Sequence, residues 1–127
     1  MAVVLVAEDD NTERDLISFR LELGGFQVRA CATGSAVLDN LDAEVVAVVL
    51  EERLPDLSGL DVCRMLRHDP ETADVPVLMV SDTGTEDEAL AAFDAGADDW
   101  LVEPLHVRDF HARLNGLLGR CRRHADR

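Results

Sequence analysis

Two groups of carboxylates stand directly after apolar runs in this chain. Glu8-Asp9-Asp10 follows the run over 2–7, and Glu51-Glu52 follows Val45-Val46-Ala47-Val48-Val49-Leu50. Adjacent carboxylates on a loop offer hard oxygen ligands to a divalent cation. The same residue types also suit the first turn of a helix, where the dipole favours negative charge. In a composition this acidic, Glu8 and Asp9 alone would not separate the two. Glu51 converging on the same place from another strand favours a site. Glu103, just before Pro104, is a further carboxylate at the end of an apolar run.

The elements that would hold these groups are legible from periodicity. Strands are expected over 2–7, 26–31, 45–50, 75–80 and 99–102, and helices over 12–24, 34–41, 58–67, 85–95 and 105–121. The runs 2–7, 45–50 and 75–80 are continuous and valine-rich, as in parallel strands covered on both faces. Leu16, Phe19 and Leu23 fall on one helical face. So do Val107, Phe110, Leu114, Leu117, Leu118 and Cys121 in the last helix. Thr85 and Glu88 have capping-box spacing, and Gly24-Gly25 ends the first helix. Strict alternation predicts an α/β fold, a flavodoxin-like (βα)5 doubly wound parallel sheet of order 2-1-3-4-5. Its crevice lies at the carboxyl ends of strands one and three, where both acidic groups fall.

Composition narrows the function. The 127 residues suffice for one domain, expected over 1–121, with 122–127 as a basic tail or linker stub. Acidic residues outnumber Lys plus Arg by 26 to 12, a formal charge of −14, which argues against this domain gripping nucleic acid. Every basic residue apart from the histidines is arginine; lysine is absent. The cluster Arg120-Cys121-Arg122-Arg123-His124 suits either a linker or a solvated helix end. No apolar stretch approaches the roughly 18 residues of a membrane span, and no signal peptide opens the chain. Cys31, Cys63 and Cys121 are odd in number, lack metal-ligand spacing and have apolar neighbours, so free buried thiols in a reducing cytoplasm are expected.

Four segments carry a family resemblance. Val4-Leu5-Val6-Ala7-Glu8-Asp9-Asp10, Leu54-Pro55-Asp56-Leu57-Ser58-Gly59, Val77-Leu78-Met79-Val80-Ser81, and Ala95-Gly96-Ala97-Asp98-Asp99-Trp100-Leu101-Val102-Glu103-Pro104-Leu105 occur in order across the chain. Together they resemble a two-component receiver domain, most like the receivers of winged-helix transcription factors. The resemblance implies that Glu8 and Asp9 match the metal-binding acidic pair. It implies that Ser81 is the switch hydroxyl, Trp100 the aromatic rotamer switch and Pro104 a cis proline. Outside the resemblance, Ser81 also fits a strand-end cap and Trp100 a half-buried packing residue.

Three departures bear on chemistry. Glu51 stands where receivers carry the phosphoacceptor aspartate, Glu103 where they carry a lysine, and Asp82 beside the donor's approach. Glutamate is longer by about one C–C bond, roughly 1.5 Å, in a site built for aspartate. The missing lysine removes the cation that would stabilise transferred phosphoryl charge. Glu8, Asp9, Glu51 and Glu103 would then share one crevice. A like-charge pair about 4 Å apart repels by roughly 4 kcal/mol at an effective dielectric of 20. A bound cation, raised carboxyl pKa values, an inward Arg53 or an outward Glu103 would each relieve this.

The expectation is therefore a pseudo-receiver in signal transduction and transcription regulation, not an enzyme, working without phosphorylation. It would sense a ligand or partner, or dimerise, with Glu51 as a fixed partial mimic of phosphoaspartate. The alternatives are a phosphorylatable receiver in a phosphorelay, using Glu52 or Asp56, and a metal-dependent phosphohydrolase, which would need an Asp-x-Asp pair and a lysine that the chain lacks. The acidic loop after strand one does not suit a flavin phosphate. Cofactors are not expected beyond weak Mg²⁺ at Glu8 and Asp9. The partners expected are a sensor kinase or effector domain and a second copy of the chain. That homodimer would form through the face of helix four, strand five and helix five, bearing Asp94, Asp98, Asp99 and Arg113. Ala91 stands where such receivers often carry an arginine, so a weak dimer is expected.

Overall fold

A computed structural model describes residues 2–125, with side chains through 119. Ten elements alternate: β1 (Val3–Ala7), α1 (Asn11–Leu23), β2 (Gln27–Cys31), α2 (Gly34–Asn40), β3 (Val45–Glu51), α3 (Gly59–His68), β4 (Val77–Ser81), α4 (Glu86–Asp94), β5 (Asp99–Val102) and α5 (Val107–Ala125). The strands form one parallel sheet of order β2-β1-β3-β4-β5, the flavodoxin-like arrangement expected from the alternation. The cysteine, Cys121, and the basic cluster at 120–124 lie outside the described side chains.

Polar caps set the helix starts. Asp10, Thr33, Ser58 and Thr85 each accept the backbone N–H three residues on, satisfying one of the donors a helix leaves open. Apolar burial then clamps helices to both faces of the sheet. Val3, Leu5, Val48, Leu50, Val77 and Met79 pack with Val37, Val62, Leu66 and Ala92 on one face. Val4, Val6, Val49, Leu78 and Val80 pack with Ile17, Leu21, Phe110, Leu114 and Leu117 on the other. Each fully buried aliphatic or aromatic side chain contributes roughly 1.5–3 kcal/mol relative to exposure.

Two helix faces differ from expectation. Leu16, Phe19 and Leu23 are 40%, 58% and 71% exposed, while Ile17 and Leu21 are buried. The segment carries two apolar stripes one residue, about 100°, apart, and only the i,i+4 pair meets the sheet. Val107 is also exposed, at the first position of α5, whereas Phe110, Leu114 and Leu117 face the core. Of the thiols, Cys63 is buried and Cys31 half-buried, both free.

Candidate functional site

The register of the sheet brings the carboxylates together. Ala7 pairs with Leu50, so Glu8 and Glu51 leave adjacent strands side by side. Ser81 pairs with Val102, and the Glu103 N–H donates to the Ser81 carbonyl at 2.8 Å, which brings Glu103 to the same edge. The β3–α3 loop closes tightly beneath: the Gly59 N–H donates to the Glu52 carbonyl at 2.8 Å. A Cβ at Gly59 would lie 2.3 Å from the Glu51 carbonyl oxygen, so glycine is required there. The Glu103–Pro104 peptide is cis.

The result is a cleft of about 430 Å³ on the β5 side, and beside it an acidic cleft of about 360 Å³ lined by Glu8, Asp9, Asp10, Glu13, Glu51, Arg53, Asp82 and Glu103. Carboxylate oxygens of Glu8, Glu51 and Glu103 all lie within 4.8 Å of one another. Glu8 and Glu51 are each only 5% exposed. One oxygen on each of the three is buried without a hydrogen-bond partner. Asp9 is exposed and stands outside the trio.

Like charges this close cannot all stay ionised without a cation. Burial, reinforced by hydrogen bonds to Glu103 and Glu8, pushes the Glu51 carboxyl up to about 10. Burial also raises Glu8, to about 7, against the lowering effect of its hydrogen bond with Glu51. Glu103 is raised by burial as well, again opposed by its bond to Glu51. The trio therefore shares protons. Raised in this way, the Glu51 carboxyl favours its uncharged form, which works against the fixed phosphoaspartate-like charge expected of it.

Arg53 does not fold inward. Its guanidinium lies 3.6 Å from the Glu88 carboxylate and its side chain is 67% exposed. Arg14 donates to the Glu8 carbonyl oxygen at 2.9 Å and to Asn11. Among the described residues, no arginine side chain donates a hydrogen bond to the three carboxylates. Glu103 does not swing outward either, since it hydrogen-bonds Glu51.

The hydroxyl that the resemblance makes a switch, that of Ser81, is held elsewhere. Ser81 Oγ donates to Glu88 Oε2 at 2.7 Å, and Thr83 Oγ1 bonds the same oxygen. Sequence reasoning assigned Glu88 to a capping box. Thr85 does accept the Glu88 N–H, at 3.2 Å, but the Glu88 carboxylate serves Ser81, Thr83 and Arg53. The pairing of one Glu with two hydroxyls upstream was the only available signal. Glu52, next to Glu51 at this edge, is raised by burial and then by repulsion from Glu88. Trp100 is half-buried against the α3–α4 side of the core, with its indole N–H buried and unpartnered.

On the α4–β5–α5 face, Arg113 binds Asp99 at 2.9 Å and Asp109 at 3.2 Å. Asp94 is exposed at the end of α4. Asp98 is drawn toward α3: it accepts from Arg67 at 2.9 Å and from the Val77 N–H at 2.8 Å.

Comparison with known proteins decides the family. The model for the response regulator receiver domain matches residues 4–115. This chain belongs to the response regulator receiver family. The receiver is 36% identical over 126 residues to the DNA-binding dual master transcriptional regulator RpaA of Synechocystis sp., covering 97% of this chain and 52% of RpaA. It is 31% identical to the phosphate regulon transcriptional regulatory protein PhoB of Pseudomonas aeruginosa, covering 92% and 52%. The receiver thus spans about half the length of the curated relatives it matches. Among solved structures, a putative response regulator from Chloroflexus aurantiacus superimposes with TM-score 0.87 at 29% identity, covering 93% of this chain and 98% of that one. The BeF3-activated DrrB receiver domain does so with TM-score 0.83 at 31% identity, covering 94% and 98%. The receiver is thus a two-component signalling domain whose relatives regulate transcription. None of its described helices is long and apolar enough to cross a membrane.

The family implies a divalent cation beside the acceptor. The residues here fit a hard cation, because Glu8, Glu51 and Glu103 present buried oxygens that no protein donor satisfies. In a receiver such an ion neutralises charge on the incoming phosphoryl group.

Proposed function

We propose that this receiver is a pseudo-receiver: its pocket does not take up a phosphoryl group, and its signal is carried by association through the α4–β5–α5 face. One observation carries the reading. The acceptor position holds a glutamate whose buried carboxyl hydrogen-bonds a second glutamate, Glu103, at the lysine position. A nucleophile must be ionised to attack phosphorus, and Glu51 is held protonated. The attacking oxygen would also meet carboxylates instead of a cation that stabilises the transition state. Asp82 at the cleft mouth adds repulsion toward an anionic donor.

The association face has apolar area to bury. Leu90 and Phe93 on α4 and Val102 on β5 are exposed at 56%, 48% and 39%, flanked by Asp94 and by Arg113. An isologous pair would repeat these contacts across a two-fold axis. Arg113 is already engaged by Asp99 and Asp109 in its own chain, which favours a weak dimer. Related regulators carry further chain beyond this length, and a DNA-binding effector would read the association. Cytoplasmic placement and a sensor-kinase partner belong to the same proposal.

Sedimentation velocity with and without a small acyl-phosphate donor and Mg²⁺ tests the reading. The monomer–dimer equilibrium should be unchanged by the donor and weakened by Phe93→Asp and by Arg113→Ala. Tightening on addition of donor would overturn it, and insensitivity to both substitutions would move the interface elsewhere.

A further inference from the structure

We propose that the basic segment 120–124 docks back on its own domain, as a strap across an apolar cavity at the amino edge of the sheet, with Cys121 over the apolar walls and Arg122 paired with the acidic rim. This contact lies at the opposite edge of the sheet from the acidic cleft and does not depend on the loss of phosphotransfer.

The amino edge holds a cavity of about 450 Å³. Phe26, Val45, Val46, Val75 and Pro76, at or just before the starts of β2, β3 and β4, form its walls together with Leu118 of α5. Val45 and Pro76 are buried and the other four are half-buried. Apolar walls of this extent favour cover by a group that removes them from water.

The rim is acidic and held in place. Asp42 stands in the α2–β3 loop, and Glu71 and Asp74 in the α3–β4 loop. Arg29 takes Asp42 at 2.8 Å, whereas Glu71 and Asp74 have no ion pair among the described residues. Their loop is pinned from behind: Arg67 donates to the Ala73 and Val75 carbonyls at 3.1 and 2.7 Å, and the Thr72 hydroxyl donates to the Leu66 carbonyl at 2.7 Å. Two acids are thus fixed at the mouth without a counter-charge.

The next stretch of α5 has the matching chemistry. Leu118 is a cavity wall, so the segment that follows it begins at the mouth. The stripe of Phe110, Leu114 and Leu117 continues in sequence to Cys121. Arg122 comes four residues after Leu118, about 6 Å farther along the helix axis. An arginine at such a place lays its aliphatic stem on apolar surface and carries its charge to the rim. Arg120, Arg122, Arg123 and Arg127 are four of the chain's 12 arginines, in a chain of net charge −14. Charge and apolar stripe together name the chain's own continuation as the occupant.

The absence of lysine gives a direct test, because Arg122→Lys introduces the only side-chain amine. A carbodiimide joins that amine to a carboxylate in contact with it, and peptide mass spectrometry on the dilute 127-residue chain reads the partner. The expected result is a link within one chain to Glu71 or Asp74, reduced at least about threefold near 1 M NaCl, where the screening length falls to about 3 Å. No link to either acid, or links only between two copies, would overturn the strap. Hydrogen exchange on chains that keep Arg122 gives a second readout. Reversing the rim with Glu71→Arg and Asp74→Arg, both exposed positions, should speed exchange of the 120–125 amides by about tenfold. Adding Arg122→Glu to that pair should restore the protection. A merely solvated helix end would respond to neither change, and that result would refute the contact.

Discussion

Two carboxylate environments sit side by side at the carboxyl edge of this sheet, and they are solved in opposite ways. Glu88 is surrounded by donors: the hydroxyls of Ser81 and Thr83 lower its carboxyl from the usual carboxylate range, with Arg53 adding to the effect. Glu51 has carboxylates for neighbours and one long donor contact, from the Arg53 backbone N–H at 3.5 Å, and burial among Glu8 and Glu103 drives it upward. The residue type is the same. What differs is whether neighbours can donate, and this decides which group is charged at neutral pH. The Arg53 guanidinium and the hydroxyls of Ser81 and Thr83 serve Glu88 on the α4 side, so the acceptor pocket is left with backbone N–H groups, protons or a cation for relief.

The pH dependence of stability exposes this contrast most strongly. A carboxyl raised by folding binds its proton more tightly folded than unfolded, so its contribution is full below about pH 4.5 and is lost as pH rises. For Glu8 the loss completes near 7, and for Glu51 it continues toward 10. In the presence of chelator, stability should fall by roughly 3 kcal/mol between pH 4.5 and 7 from Glu51 alone. Urea melts across this range check it, and a flat or rising profile would break the comparison. Asp42 and Asp56, whose pKa values are lowered mainly by backbone and serine hydrogen bonds respectively, act with the opposite sign only in stronger acid.

Substitution sharpens the same comparison at single residues. Glu51→Gln keeps the shape and removes the titration, so it should stabilise the receiver by about 2–3 kcal/mol at pH 7 and flatten the profile. Glu88→Gln should do the reverse: it weakens the bonds to Ser81, Thr83 and Arg53 and lowers the melting temperature slightly. Equal signs for the two variants would show that donors do not set the difference. Restoring Glu51→Asp and Glu103→Lys together should give more phosphoryl uptake than the sum of either alone, since acceptor and counter-charge work as one unit.

Much of this was legible in the chain. The valine-rich runs at 3–6 and 45–49 read as strands buried on both faces, and alternation with capped helices favours the observed sheet order. The strand count then carries Glu8, Glu51 and Glu103 to one edge. What stayed illegible were choices between near-equal partners. Residues 16–23 hold two apolar stripes, and nothing local says that Ile17 and Leu21 meet the sheet while Phe19 faces water. Glu88 satisfies the spacing of a capping box, yet in the fold its carboxylate accepts from the hydroxyls of Ser81 and Thr83. Arg53 is two residues from Glu51 in sequence but is drawn to Glu88 in space. Asp98 is similarly taken by Arg67, which also grips the Gly96 carbonyl at 2.9 Å, a contact between residues far apart in the chain.

The central claim is that the acceptor pocket no longer takes a phosphoryl group. Incubation of the wild-type chain with a small acyl-phosphate donor and Mg²⁺, followed by intact-mass and peptide mass spectrometry, tests it directly. The account predicts no covalent phosphoryl adduct at Glu51, Glu52 or Asp56. A stoichiometric adduct on Glu51 would contradict it.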